Sequence, residues 1–284
     1  MKRPSTKMFL DSGDPGETRA VLQTLGFLDG QTTNPTLIAK SPEAAARKER
    51  RQPFTNEELW EFYKRVVQEI SGLVPQGSIS IETYADLTTT AQKMLKQARE
   101  FNSWIPNAHI KFPTTAEGLK AAGQALAEGI RVNMTLVFSQ SQAAAVYSAT
   151  TGASRGDVFL SPFIGRLDDI GQQGLDLIKN IQQMYQKGGG HVMVLAASVR
   201  SVAHLQSLLN LQADIITAPA KVLLAWTKGE EISTLPQPPL QSIPYEELNL
   251  NADWQSFDLH HELTDKGITK FSEDWNSLLQ AAVK

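Results

Sequence analysis

Short apolar runs recur along this chain. Each is followed by a longer stretch whose apolar residues fall three and four apart, so the pattern reads as strand and helix in alternation. The runs at 8–12, 26–31, 77–82, 108–113, 131–138, 157–163, 191–196 and 213–217 predict eight strands. Helical spacing follows each: from Asp14 onward, to about 47 and again over 55–72, then 86–101, 115–128, 140–148, 168–186, 199–210 and 219–228. Start signals agree with these bounds. Asp14 is placed to cap the first helix, with Pro15 in its first turn and Glu17 at the capping-box position.

Eight such units in one chain argue for a parallel sheet that closes into an α/β (β/α)8 TIM barrel, here over residues 1–230. A doubly wound open sheet is the alternative. Its usual glycine-rich phosphate loop is missing, since Asp11-Ser-Gly-Asp-Pro15 is not G-x-G-x-x-G. Residues 231–284 form an extension. A proline-rich connector over 235–244 leads to a final amphipathic helix over about 258–282, in which Leu263, Ile268, Phe271, Trp275 and Leu278 share a face and Gly267 weakens the middle. That face is expected to pack on the barrel or on a sister subunit.

Composition narrows the function classes. With 41% hydrophobic and 20% charged residues in 284, the chain has enough apolar side chains for a large core. With a formal net charge of −3, no basic balance points to nucleic acid or an anionic membrane. The absence of cysteine removes disulfides, thiolate metal sites and cysteine nucleophiles together. The charged run over 45–51 reads as a solvated helix end, and His260-His-Glu-Leu263 lacks the H-E-x-x-H spacing of a zinc helix. No signal peptide and no apolar stretch of about 18 residues is seen, so a cytoplasmic, soluble protein is expected.

Polar residues collect where the strands should be apolar. Asp11, Glu82, Lys111, Asn133, Thr135, Ser161 and Ser198 fall at or near the carboxyl ends of the strands, with Thr32 and Asn34 just past the second. In a barrel these ends meet at one mouth, where catalysis sits. Lys111, inside Ala108-His-Ile-Lys-Phe-Pro113, is a lysine on a buried strand, an environment that favours the free amine. Such an amine condenses with a ketone to an iminium ion, an electron sink for breaking the neighbouring carbon–carbon bond. Asp11 is the candidate to take the hydroxyl proton, and Glu82 with Thr135 to hold the water that moves protons. Asn34, Asn133 and Ser161 suit sugar hydroxyls. Arg166 and Arg200, with Ser198, suit a phosphate beyond strands six and seven. His109 shares the barrel-facing side with Lys111 and reads as a core histidine, with proton transfer as the alternative.

At these residues the chain resembles the transaldolases. The matching segments are Asp29-Gly-Gln-Thr-Thr-Asn-Pro-Thr36, Ile110-Lys-Phe-Pro113, Gly129-Ile-Arg-Val-Asn-Met-Thr-Leu-Val-Phe-Ser139, and Ser161-Pro-Phe-Ile-Gly-Arg166 with Asp169, followed by Ala197-Ser-Val-Arg200 and Thr217-Ala-Pro219. The resemblance implies that Lys111 forms the Schiff base, that Asp11 is the acid/base, and that Glu82 and Thr135 hold the water. It implies that Thr32, Asn34, Asn133, Ser161 and Phe163 line the donor site, and that Arg166, Ser198 and Arg200 hold the phosphate. It implies no metal or other cofactor, sugar-phosphate substrates, and a homodimer, as in many members. A shorter branch of the superfamily, the fructose-6-phosphate aldolases, carries glutamine where this chain has Glu82 and tyrosine where it has Phe163, so the chain is more similar to the transaldolase branch. Two rivals remain at this stage: an aldolase that releases its three-carbon fragment, and a sugar-phosphate-binding barrel without catalysis.

Overall fold

Eight parallel strands close on themselves in sequence order, β1-β2-β3-β4-β5-β6-β7-β8, with β1 also paired to β8. They are β1 (Lys7–Asp11), β2 (Gly30–Thr32), β3 (Ser78–Glu82), β4 (Ala108–Pro113), β5 (Val132–Val137), β6 (Val158–Pro162), β7 (Val192–Ala196) and β8 (Ile215–Ala218). The computed structural model describes residues 3–230 and 239–279. The (β/α)8 expectation holds, and closure leaves no unpaired sheet edge.

Helices follow the strands as the pattern requires: α1 (Pro15–Leu25), α2 (Pro35–Ala39), α3 (Pro42–Glu49), α4 (Asn56–Leu73), α5 (Ala91–Asn102), α6 (Ala116–Ala127), α7 (Gln140–Ala149), α8 (Ile164–Asp169), α9 (Gly174–Tyr185), α10 (Val202–Asn210) and α11 (Ala220–Lys228). Side-chain caps start many of them. Asp14 accepts from Gly16 N at 2.8 Å, and Thr115 from Gly118 N at 3.1 Å. The reciprocal capping box forms at Thr55 and Glu58 rather than at Glu17, whose carboxylate instead takes the Ser12 hydroxyl.

Two helices predicted as continuous are each divided. The helix expected up to about residue 47 breaks at Lys40 and Ser41, where Pro42 restarts it as α3. The helix expected over 168–186 breaks between α8 and α9. Gly171 turns there with φ 80°, a left-handed conformation that suits glycine. Short α8 thereby stays at the carboxyl end of β6, with Arg166 on it.

Beyond the barrel, part of the proline-rich connector lies outside the described residues. From Pro239 the chain crosses the α7–α9 side: Ile243 O accepts from Asn180 Nδ2 at 2.9 Å and Pro244 O from Gln140 Nε2 at 2.8 Å. It ends in α12 (Glu262–Asn276), shorter than the expected 258–282 span, of which residues 280–282 lie outside the described ones. The apolar face read from the sequence is the buried one: Leu263, Ile268, Phe271 and Trp275 are each less than 10% exposed. Trp275 packs at 4.8 Å from Trp60 and 5.6 Å from Tyr63, ring centre to ring centre, so α12 docks on this chain's own barrel.

Candidate active site

A cavity of about 310 Å³ opens at the carboxyl ends of the strands. Of the residues singled out in the sequence, Asp11, Thr32, Asn34, Lys111, Thr135, Ser161, Phe163, Arg166, Ser198 and Arg200 line it together. Glu82 and Asn133 are buried beside it and do not line it.

Lys111 is at the centre. The strand register sets it beside Glu82 on β3 and Asn133 on β5. Its Nζ lies 2.8 Å from Glu82 Oε2 and donates to the Thr33 carbonyl at 2.9 Å. Both partners of the ion pair have side chains only 4% exposed. Burial pushes the Glu82 carboxyl above its ordinary range, and the neighbouring lysine pulls against that shift. Thr33 owes its position to a small network: its hydroxyl donates to Ser80 O at 2.8 Å and meets the Tyr63 hydroxyl at 2.8 Å. The Tyr63 oxygen also accepts from Glu82 N at 3.0 Å, so this tyrosine, which the sequence reading passed over, braces both sides of the ion pair.

Asp11 faces the cavity from β1 and accepts from Thr32 Oγ1 at 2.7 Å. Burial raises its carboxyl above the ordinary aspartate value, against the pull of Lys111. Thr135 is fully buried, and among the described residues its hydroxyl has no hydrogen-bond partner although it lies on the cavity wall. Such an orphan oxygen is unusual in a folded interior and marks a place for a ligand or water atom. Asn133 donates to Ser80 Oγ at 3.0 Å and accepts from Ser161 Oγ at 2.7 Å, so it reaches the cavity through Ser161. Asn34 spends its side-chain oxygen on Leu37 N at 2.9 Å, capping α2, which leaves its amide donors.

The outer wall is cationic. Arg166 lies over the rings of Phe163 and Phe271, 5.8 Å from each centre, and has no carboxylate at ion-pair distance among the described residues. Arg200 is held in a two-pronged pair by Asp169, with Nη2 to Oδ2 at 2.6 Å. Two further lysines line the cavity: Lys40 at the end of α2 and Lys270 on α12. Neither had a local signal. Phe271 stood out only as part of an apolar stripe, and its place in the cavity depends on where α12 lands.

His109 is apart from this chemistry. Its Nε2 meets Gly156 O at 2.8 Å, its Nδ1 meets Ser78 Oγ at 2.6 Å, and its ring stacks on Phe159 at 4.0 Å. Burial holds its pKa down to about 3, so it is a neutral core residue.

Fold and cavity together define a (β/α)8 barrel with a lysine–carboxylate centre and a cationic outer wall. The sequence matches the Transaldolase/Fructose-6-phosphate aldolase family over residues 8–282. A probable transaldolase of Dehalococcoides mccartyi is 36% identical over 272 residues, covering 96% of this chain and 99% of that protein. A probable transaldolase of Alkaliphilus metalliredigens is 37% identical over 274 residues, covering 96% of this chain and 100% of that protein. The probable transaldolase 2 of Listeria monocytogenes is 34% identical, at 96% and 98% coverage. The chain belongs to the transaldolase/fructose-6-phosphate aldolase family.

Proposed function

We propose that the protein is a transaldolase. It moves a dihydroxyacetone unit from a ketose phosphate, sedoheptulose 7-phosphate or fructose 6-phosphate, to an aldose phosphate, as a cytoplasmic enzyme of the pentose phosphate pathway. The observation that carries the reading is the buried Lys111 amine, held at 2.8 Å from a carboxylate whose proton affinity is raised by burial. Glu82 takes the ammonium proton and leaves a free amine. The amine adds to the ketone carbon of the donor, Glu82 returns its proton to the carbinolamine hydroxyl, water leaves, and an iminium ion forms. Asp11 removes the proton from the hydroxyl on the carbon beyond the bond to be broken. The electrons of that carbon–carbon bond pass into the iminium, giving an enamine on Lys111, and the aldose phosphate departs. The enamine then attacks the acceptor aldehyde, Asp11 returns its proton to the new alkoxide, and water releases the product.

Arg166, Ser198 and Arg200 bind the phosphate in this scheme. Ser161 and Asn34 meet sugar hydroxyls, and Glu82 with Thr135 handles the water of imine formation. Phe163 and Glu82 favour transfer over release of the fragment, because Phe163 carries no hydroxyl and Glu82, once it has returned its proton during imine formation, is ionised, so neither donates a proton to the enamine. The test is borohydride reduction in the presence of fructose 6-phosphate, followed by mass measurement of the Lys111 peptide. A reduced three-carbon adduct on Lys111 is expected. An adduct on another lysine, or none, overturns the reading.

A further inference from the structure

The residue after Thr135 breaks the rule of its strand. Leu136, fully buried, has φ 59°, in the left-handed region that a bulky side chain rarely occupies. It lies within a bulge. Between Met134 and Val137 β5 advances three residues, while its partner β6 advances two, from Leu160 to Pro162. Bulges of this kind re-aim side chains, and a strained backbone persists only where its surroundings fix it.

Two functional groups depend on this bulge. Thr135 lies within it, beside Leu136, and its unpartnered hydroxyl lines the cavity. Val137 closes it, and its carbonyl accepts from Phe163 N at 3.0 Å, which anchors the aromatic residue that follows the neighbouring strand β6.

What fixes the bulge comes from both sides. On the barrel side, Thr135 O accepts from Thr114 N and Thr114 Oγ1, each at 2.9 Å. On the outer side the contacts come from α12, far away in the chain. Thr264 Oγ1 donates to Leu136 O at 2.9 Å and accepts from Gln142 Nε2 at 2.9 Å. Thr264 is 1% exposed and Gln142 fully buried, so both bonds lie away from the protein surface. Gly267, one turn on, lies so close that a Cβ there would stand 2.6 Å from Leu136 Cδ2. The glycine that weakens α12 as a helix is therefore what lets it settle against the strained residue.

We propose that α12, through Thr264 and Gly267, acts as a clamp that holds the β5 bulge and so positions Thr135 for the covalent steps. Thr264 and Gly267 are positioning residues. They touch no substrate, and this role rests on the Lys111 reading given above.

The test uses the full-length protein. Thr264→Val keeps the shape and removes the hydrogen bond. It is expected to lower kcat roughly 10- to 100-fold, the scale of a small misplacement of a reacting group, with KM for fructose 6-phosphate unchanged and adduct formation on Lys111 slowed in single-turnover borohydride trapping. Thr264→Ser, which retains the hydroxyl, restores the wild-type rate. Gly267→Ala, acting on the same bulge by crowding rather than by loss of a bond, repeats the kcat loss. Leu278→Ala, which loosens the far end of the α12 segment, lowers the melting temperature and leaves kcat intact. Wild-type kcat in Thr264→Val, or an equal loss of kcat in Leu278→Ala, overturns the clamp while leaving the Lys111 reading in place. Failure to trap any adduct on Lys111 in the wild-type protein overturns that reading, and the clamp with it.

Discussion

Lys111 and Glu82 form an ion pair of 2.8 Å between neighbouring strands, with 4% of each side chain exposed. The pair lies inside the barrel, away from solvent, and Lys111 opposes the rise that burial imposes on the Glu82 carboxyl. Removing one leaves an uncompensated group in the interior.

Lys111→Ala is therefore expected to act on stability as well as activity. Turnover is abolished, because a methyl group forms no imine. The stranded Glu82, already raised by burial in the intact protein, rises further without its cation. A carboxyl whose folded pKa exceeds its unfolded one favours the fold at low pH and costs stability as pH rises through the folded value. The variant should lose about 3–5 kcal/mol near pH 8 and recover part of it near pH 5. Denaturant titrations at the two pH values, set against the wild type, measure the difference; equal losses at both would reject the account.

Asp11→Asn tests the other carboxylate. Its raised pKa, caused first by burial, means that ionised Asp11 costs the folded state free energy at neutral pH. The neutral isostere should melt higher at pH 7 while kcat falls by roughly 10²–10⁴. In the wild type the acid limb of kcat/KM should lie above the 3.8 of an ordinary aspartate, because the base must be ionised to work. A lower melting temperature in Asp11→Asn contradicts this.

The two arginines should not be equivalent. Asp169 already occupies Arg200 with both oxygens, whereas Arg166 rests on two aromatic rings. A phosphate must compete with Asp169 for Arg200 but not for Arg166. Arg166→Ala should raise KM for fructose 6-phosphate by the equivalent of about 2–5 kcal/mol, and Arg200→Ala by less. Both should leave KM for unphosphorylated dihydroxyacetone nearly unchanged. Comparable KM increases on both substrates would point to a structural role instead.

Transfer and simple cleavage separate on Glu82 and Phe163. Given fructose 6-phosphate alone, the wild type should release glyceraldehyde 3-phosphate once and stall as the enamine adduct, then turn over when erythrose 4-phosphate is added. Phe163→Tyr with Glu82→Gln places a hydroxyl donor beside the intermediate and should raise acceptor-independent release of dihydroxyacetone. Time courses of glyceraldehyde 3-phosphate with and without acceptor decide it. Continuous release by the wild type at the same rate in both would make it an aldolase.

Local pattern carried much of this architecture. Period-two and period-3.6 runs located seven of the eight strands and the helices between them, because side chains on either element repeat at the backbone's own spacing, whereas the second strand, expected over 26–31, forms only at Gly30–Thr32. Polar residues at apolar strand ends located Asp11, Lys111 and Thr135, since a polar group in a buried strand interrupts that period visibly. Breaks carried by single residues were harder to see. Gly171 and Pro42 divided two helices that periodicity alone joined. Tertiary structure alone decided what lies side by side from distant segments. The pairing of Glu82 with Lys111 follows from strand register, and the Asp169 grip on Arg200 from the way α8 meets the loop after β7. Lys270 and Phe271 reach the cavity, and Thr264 reaches Leu136, only because α12 folds back across the barrel mouth. Residues 136 and 264 are linked by no periodicity. Their contact exists because closing the barrel and docking Trp275 against Trp60 and Tyr63 leave α12 one place to lie.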